Sequence, residues 1–306
     1  MAELRGTRRY YSIDNLCRVF GYTRQAWYNH VKRSELQSFQ EHIVLQRIKE
    51  IRNDLPKTGC IKLYKELNNG FLQTLGIAMG RDAVFELVRE NGMLIKTGKR
   101  YAVTTNSFHR YRIHPDLVQR RHAERPEEIW VSDITYITTM SGFTYLSLIT
   151  DAYSRKIVGH YLSTNLKASG CLKALDKAVL SRLYPESKLI HHSDRGTQYC
   201  CDDYVGQLKK KEIRISMTQT GSPYDNAIAE RVNGILKTEF DLFQTFKSHS
   251  QASAAIDHAI YKYNNLRLHA SCNYLTPENT HNGQKVNQNK INQTHVNKYQ
   301  EENITL

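Results

Sequence analysis

Two periodicities divide the chain. Up to about residue 95 apolar side chains recur every three or four positions, the spacing of one helix face; from residue 129 they alternate or run together, as in strands. In the first part Ile13, Leu16, Val19 and Phe20 predict a short helix that Gly21 ends. Thr23 is placed to cap a second helix carrying Trp27 and Val31. Helix, tight turn, helix is the arrangement that lays a recognition helix in a major groove, and its outer face would present Arg24, Gln25, Tyr28, Asn29 and Lys32. The theme repeats over residues 41–95. Val44, Ile48, Ile51 and Leu55 form a stripe that Pro56 and Gly59 stop. Ile61, Leu63, Tyr64 and Leu67 predict a short second helix. Gly80-Arg81-Asp82 opens a third with Val84, Phe85, Leu87 and Val88 as its core face, and Asn91-Gly92 ends it.

The second part begins with Ile129-Trp130-Val131-Ser132-Asp133-Ile134-Thr135-Tyr136-Ile137, a β-rich run. Ser141-Gly142 predicts a hairpin turn, with strands over 143–150 and 156–162. An amphipathic helix over 169–183, a strand over 188–192, a helix over 204–210 and a short strand over 213–217 follow. Long helices are expected over roughly 223–247 and 250–265. Three hairpin-linked strands followed by alternating helices and strands predict an α/β fold: a mixed five-stranded sheet flanked by helices, in the order of a ribonuclease-H-like core, behind an all-α helix-turn-helix region.

Charge sharpens this division. The chain has 306 residues and a formal net charge of +13, from 43 basic and 30 acidic side chains. Residues 1–126 hold 23 basic against 12 acidic side chains, whereas residues 127–306 hold 20 against 18. A polyanion met mainly by the N-terminal half is implied. Residues 96–126 carry Lys96, Lys99, Arg100, Arg110, Arg112, Arg120, Arg121 and Arg125 with Tyr101, Phe108 and Tyr111 interleaved, a linker suited to lie along phosphates. Six cysteines without a CxxC pair speak against a zinc site or a disulfide framework and fit a reducing, cytoplasmic setting. No run of about 18 apolar residues predicts a membrane span, and no secretory signal is expected. From about residue 281 the chain is rich in Asn, Gln and Lys, as in a flexible polar tail.

Three carboxylates stand at positions where separate elements can meet. Asp133 lies in the first strand, Asp194 directly after the fourth, and Glu230 on the helix after Gly221-Ser222-Pro223. Carboxylates converging from separate elements are what two-metal phosphoryl transfer requires of a protein. Taken singly, each has an ordinary alternative: a solvent-facing strand residue, a turn residue and a surface helix charge. Ser222 and Pro223 suit a helix start, and Asn226, Glu230, Asn233 and Lys237 follow at spacings that put them on one face.

Several stretches carry a family resemblance. They are Trp130-Val131-Ser132-Asp133-Ile134-Thr135-Tyr136, Asp151-Ala152-Tyr153-Ser154-Arg155-Lys156-Ile157-Val158-Gly159, His192-Ser193-Asp194-Arg195-Gly196-Thr197-Gln198-Tyr199, and Gly221-Ser222-Pro223-Tyr224-Asp225-Asn226-Ala227. Glu230 with Lys237, Tyr263-Asn264 with Arg267 and His269, and Thr276-Pro277 complete the order. In this order they resemble the catalytic, second-frame protein of bacterial two-frame insertion-sequence transposases, whose core is similar to retroviral integrase. The chain departs from the family pattern at Leu268, where the family often has Pro, and at Cys272, where it often has Leu.

The resemblance implies that Asp133, Asp194 and Glu230 are a catalytic, metal-binding acidic triad. It implies two Mg²⁺ (or Mn²⁺) ions, DNA strand cleavage and strand transfer, and a structural role for Asp151. Lys237 would position donor DNA. Asn226, Arg195, Arg24, Arg81, Lys99, Arg100, Arg110 and Arg112 are the further DNA-binding candidates. The implied partners are double-stranded DNA, both element ends and target, a homo-oligomer assembled on it, and a first-frame helix-turn-helix protein; no membrane is involved. The setting would be a bacterial cytoplasm, at the nucleoid. The expected organisation is a helix-turn-helix segment at 1–38, a helical DNA-binding domain at 39–95, a basic linker at 96–126, an integrase-like core at 127–280 and a polar tail at 281–306. The alternatives are a non-catalytic DNA-binding regulator derived from a transposase, and a ribonuclease-H-like nuclease that cleaves without joining.

Overall fold

The computed structural model describes residues 12–95, 111–119, 121–219 and 227–283. Helix α1 (Ile13–Val19) is capped by Ser12, whose side chain accepts from the Asn15 N–H. Helix α2 runs without a break over Arg24–Asp54, capped by Thr23 as expected. The sequence reading of two helices here is therefore corrected to one. No Gly or Pro interrupts residues 24–54, and only Val44 and Ile48 are buried, so the apolar period fades where the helix is exposed on all sides. The division expected between residues 38 and 39 falls inside this helix. Helices α3 (Cys60–Leu67), α4 (Phe71–Thr74) and α5 (Arg81–Glu90) close a small core around Val44, Ile48, Leu63, Leu67, Leu72, Val84 and Val88. Phe85, expected on the core face of the third helix, is instead exposed, as is Ile61.

Strands β1 (Ile129–Thr139), β2 (Gly142–Asp151), β3 (Ile157–Ser163), β4 (Ile190–Ser193) and β5 (Arg214–Met217) form one sheet in the order β3-β2-β1-β4-β5. The first three pair antiparallel; β4 and β5 join parallel to β1. Helices α6 (Ala168–Leu180), α7 (Thr197–Cys200) and α8 (Asp202–Lys210) cover one face, around Trp130, Ile149 and Val158. Helices α9 (Ala227–Glu239) and α10 (His249–Asn265) cover the other, around Ile137, Leu146 and Leu148. The mixed five-stranded sheet and its flanking helices are as the sequence predicts.

The helix expected to reach residue 247 stops at Glu239. Asp241 takes a positive φ of 57°, and Leu242 and Phe246 turn back into the core. Phe246 then bridges the end of β1, donating to Thr138 O at 2.9 Å and accepting from Met140 N at 2.9 Å. Residues 111–119 and 121–126 are built onto the core: Leu117 N–H donates to Ser216 Oγ at 2.8 Å, and Leu117 and Val118 pack beside Ile129 and Ile190. Helix α11 (Pro277–His281) carries the fold past the expected start of the polar tail, because His281 is 1% exposed.

A buried polar network ties these ends together. Asp151 Oδ1 accepts from Ser154 N and Oγ, each at 2.7 Å, and its Oδ2 accepts from Glu127 N at 2.7 Å. Asp151 is thus structural, as the resemblance implies. Glu127 accepts from Leu183 N at 2.6 Å and Arg182 Nε at 3.0 Å, and His281 Nε2 stands 3.5 Å from it. Burial by itself would raise the Glu127 carboxyl; His281, the Leu183 N–H and Arg182 outweigh it and hold it down to about 2.

Two outcomes follow from this packing. A Cβ added at Gly159 would press into the Ala174 carbonyl oxygen and lie 2.7 Å from Ala178 Cβ. Gly159→Ala should therefore force β3 and α6 apart at a cost of about 1–3 kcal/mol, read as a lower thermal midpoint; an unchanged midpoint would contradict the close approach. Glu127 has a depressed pKa, so its contribution is complete above the ordinary value of 4.5 and is lost as pH falls towards 2. Glu127→Gln should cost roughly 3 kcal/mol at neutral pH, because buried Arg182 loses its counter-charge. Denaturant titrations should also show a flatter acid limb below pH 4.5 than wild type. Identical acid limbs would show that this carboxylate does not carry the linkage.

Candidate active site

Strand register builds the site. The parallel pairing of β1 with β4 ends at Ser132 opposite Ser193, so Asp133, midway along β1, and Asp194, just past the end of β4, are the next residues out, side by side where that pairing stops. Neighbouring strands lie about 4.8 Å apart, which leaves two carboxylates on one ledge. The ledge is braced from below. Buried His191 Nε2 lies 2.6 Å from Ser132 Oγ and 2.9 Å from Tyr204 OH, locking β1, β4 and α8 together. Burial, then the neighbouring His192, pushes the His191 imidazole down to about 3, so it is neutral.

Each aspartate is oriented by a further group. Asp133 Oδ1 accepts from Ile134 N at 2.9 Å and Oδ2 from Asn233 Nδ2 at 2.7 Å. Asp194 Oδ1 accepts from Gly196 N at 2.9 Å. A Cβ at Gly196 would sit 3.0 Å from that same oxygen, so glycine leaves the carboxylate room. Arg195 donates from Nε to Thr218 O at 2.6 Å, tying the loop after β4 to the end of β5.

Helix α9 brings the third carboxylate. It packs on β1 through Val232, Ile235 and Leu236, which turns Asn233 inward against Asp133. Glu230 lies three residues earlier and Lys237 four residues later, on the face predicted from their spacing. The Asp133 carboxyl is pushed up to about 7, first by burial, then by the negative charge of Asp194, with Glu230 adding to it. Burial raises Glu230 as well. Burial lowers the Lys237 ammonium, and Asp133 counters that. A buried carboxyl made harder to ionise by two neighbouring carboxylates is a charge deficit that a divalent cation relieves, and carboxylate oxygens are the hard donors that magnesium prefers. Among the described residues no three His, Cys, Asp or Glu side chains yet converge closely enough to clasp one ion.

Of the remaining candidates, Arg24 opens α2 and Arg81 opens α5, where it pairs with Asp82 at 2.8 Å. Both belong to the helical region, not to the sheet that bears the carboxylates. Arg112 is exposed just before the segment that packs on β5. Asn226, Lys99, Arg100 and Arg110 lie outside the described residues. Asn233 is the site residue that the sequence reading placed on the right face without a role. The signal for it was its one-turn spacing from Glu230 and Lys237.

Residues 123–223 match the integrase core domain family, and residues 211–277 match a second integrase core domain family. The chain is 33% identical over 267 residues to the insertion element IS600 31 kDa protein of Shigella sonnei, covering 86% of this chain and 96% of that protein. It is 30% identical over 278 residues to the transposase InsF for insertion sequence IS3A of Escherichia coli, covering 89% of this chain and 94% of the relative. The chain belongs to the IS3 family of insertion-sequence transposases. It is a transposase with an integrase core, and its activity is DNA transposition. Among solved structures, the HTLV-2 integrase catalytic core domain in complex with magnesium is 17% identical, covering 52% of this chain and 99% of that one at a TM-score of 0.42. The catalytic core domain of BIV integrase is 16% identical over 51% of this chain and 95% of that one, at a TM-score of 0.41. As a transposase fold this chain has no described helix long and apolar enough to cross a membrane.

Proposed function

We propose that Asp133, Asp194 and Glu230 are the catalytic carboxylates of this transposase and hold two Mg²⁺ ions, or Mn²⁺ in their place, for DNA strand cleavage and strand transfer. The observation that carries the reading is the β1–β4 register, which sets Asp133 beside Asp194 where that pairing ends while α9 leans Asn233 on Asp133. When bound, the ions supply Lewis-acid activation of the attacking oxygen and charge neutralisation at the phosphodiester.

The chain's own residues do the rest. Asn233 and the Ile134 N–H fix the two oxygens of Asp133, so its carboxyl plane is set before any ligand arrives. The Gly196 N–H holds one oxygen of Asp194. Glu230, one turn before Asn233, completes the donor set. Lys237, one turn beyond Asn233, is poised to bind a phosphate of the donor strand, and Arg195 steadies the loop that carries Asp194. Arg24, Arg81, Arg112, Asn226 and the basic residues between 96 and 110 extend the DNA contact. The helical region that ends at residue 95 and the linker 96–126 position DNA for a core that spans 127–280. The assembly is a homo-oligomer on paired element ends, with a first-frame helix-turn-helix protein as partner, in the bacterial cytoplasm.

The direct test is strand transfer with Mg²⁺ on labelled element ends. Asp133→Asn, Asp194→Asn and Glu230→Gln should each lose activity by more than ~100-fold while still binding duplex DNA, since removing a ligand exceeds the usual loss from removing a ligand's support. Activity equal to wild type in Asp133→Asn would remove Asp133 from the mechanism. Cleavage without joining in the wild type would favour the nuclease alternative. Asn233→Ala should fall between these limits, with strand transfer reduced roughly 10- to 100-fold at an unchanged thermal midpoint. Full activity in that variant would show that Asp133 needs no orienting partner.

A further inference from the structure

Outside the carboxylate ledge, positive charge gathers where α3 meets the end of α9 and the segment after α10. Glu239, the last residue of α9, accepts from Arg267 at two points, Nε to Oε2 and Nη2 to Oε1, both at 2.7 Å. Lys62 on α3 reaches the same carboxylate only loosely, at 3.5 Å. Arg267 also stacks over the Tyr263 ring at 5.7 Å, and Tyr263 OH donates to the carbonyl of Arg155 at 3.0 Å. The Tyr263 ring in turn meets the His269 ring edge-on at 6.4 Å. Lys62 and Arg267 thus share the Glu239 carboxylate, and Arg267, Arg155, Lys62 and Arg231 all act on His269 beside it.

Both Glu239 oxygens accept from Arg267, so Lys62 shares that carboxylate only at 3.5 Å. Two polar atoms show a shortfall of partners directly. Arg155 Nη1 is buried without a hydrogen-bond partner, and His269, 8% exposed, has a buried Nδ1 in the same condition. Such unsatisfied buried groups call for an absent ligand. The electrostatics agree. Burial, then Arg267, pulls the Lys62 ammonium down to about 8 although Glu239 supports it. Burial, followed by Arg267, Arg155, Lys62 and Arg231, drives His269 down to about 3. The cluster is reachable, since the side chains of Lys62 and Glu239 remain 19% and 25% exposed.

We propose that Lys62, Arg155 and Arg231, beside the Arg267–Glu239 pair, form a seat for a backbone phosphate of duplex DNA, at the junction of the helical region and the C-terminal helices and apart from the three carboxylates. The proposal rests on the transposase reading for its ligand. A phosphodiester suits the seat because guanidinium forks and an ammonium together match its charged oxygens. Occupation would also join α3 to the core through the DNA itself, adding to the Lys62–Glu239 and Lys57–Asp241 pairs that join them already.

Anisotropy of a short labelled DNA duplex against salt, with the full chain, tests this. Lys62→Gln and Arg231→Gln should each flatten the slope of log affinity against log salt by about 0.9, the loss of one phosphate contact, at an unchanged thermal midpoint. Slopes equal to wild type in both variants would overturn the proposal. A second measurement needs no variant: an amine-reactive reagent should label Lys62 several-fold more slowly when the duplex is bound. Equal labelling with and without DNA would also overturn it. Asp133→Asn separates the two readings, because it should keep the wild-type salt slope and lose strand transfer. If it instead keeps strand transfer, the carboxylate assignment fails while the slopes still decide the phosphate seat.

Discussion

Asp133 and Asp194 repel each other, and the fold is arranged so that they cannot move apart. Parallel pairing fixes their strands in register, and the buried Ser132–His191–Tyr204 contacts hold that register from beneath. Burial first, and then this repulsion, raise the Asp133 carboxyl to about 7. A group that is costly to ionise in the resting protein is a stored demand for positive charge, and such perturbed groups gather where chemistry is done. The neighbouring devices belong to the same constraint: Asn233 donates to one oxygen, Gly196 leaves space for another, and α9 is pressed onto β1 so that Glu230 is carried to the same edge.

A second network keeps that sheet from fraying on its exposed side. β3 is an edge strand, and Asn264 closes it much as a neighbouring strand would, accepting from Ile157 N and donating to Ile157 O, both at 3.0 Å. Tyr263 binds the Arg155 carbonyl, Cys272 donates to Ser154 O at 3.2 Å, and His281 reaches Ser154 Oγ at 2.9 Å. The residues that follow the third carboxylate in the motif series therefore hold the turn between β2 and β3. His281 gives this clamp a pH dependence opposite in sign to that of Glu127. Burial pulls its imidazole down, but Asp151 and Glu127 more than offset that and raise it above 6.5. Its contribution is present below 6.5 and is lost as pH rises through the raised value.

The strands were legible because each is half or fully buried, and burial writes a period into sequence. The acidic positions were legible because their order along the chain matches a strand, a strand end and a helix. The unbroken course of α2 was not, since a helix that touches little needs no apolar face. The early end of α9 was hidden because Leu242 and Phe246 are apolar and extend the helical pattern while packing from a loop. Lys62, Arg155 and Arg267 read as scattered charges, and their convergence depends on how α3 docks against the end of α9, which no local spacing encodes. His281 looked like the first residue of a polar tail, because its burial depends on Asp151 and Glu127, more than 120 positions away.

The length of α2 has a mechanical consequence. Thirty-one residues at 1.5 Å each make a rod of about 46 Å, seated in the small helical core only through its C-terminal half around Val44 and Ile48. Its N-terminal half is a cantilever with α1 at its tip. A helix resists bending over this distance, so the tip cannot shift without tilting the seat, and the seat is joined by Lys57 and Lys62 to the end of α9. Whatever the tip engages is held at a set span and angle from the carboxylate ledge, as a caliper fixes the distance between its jaws.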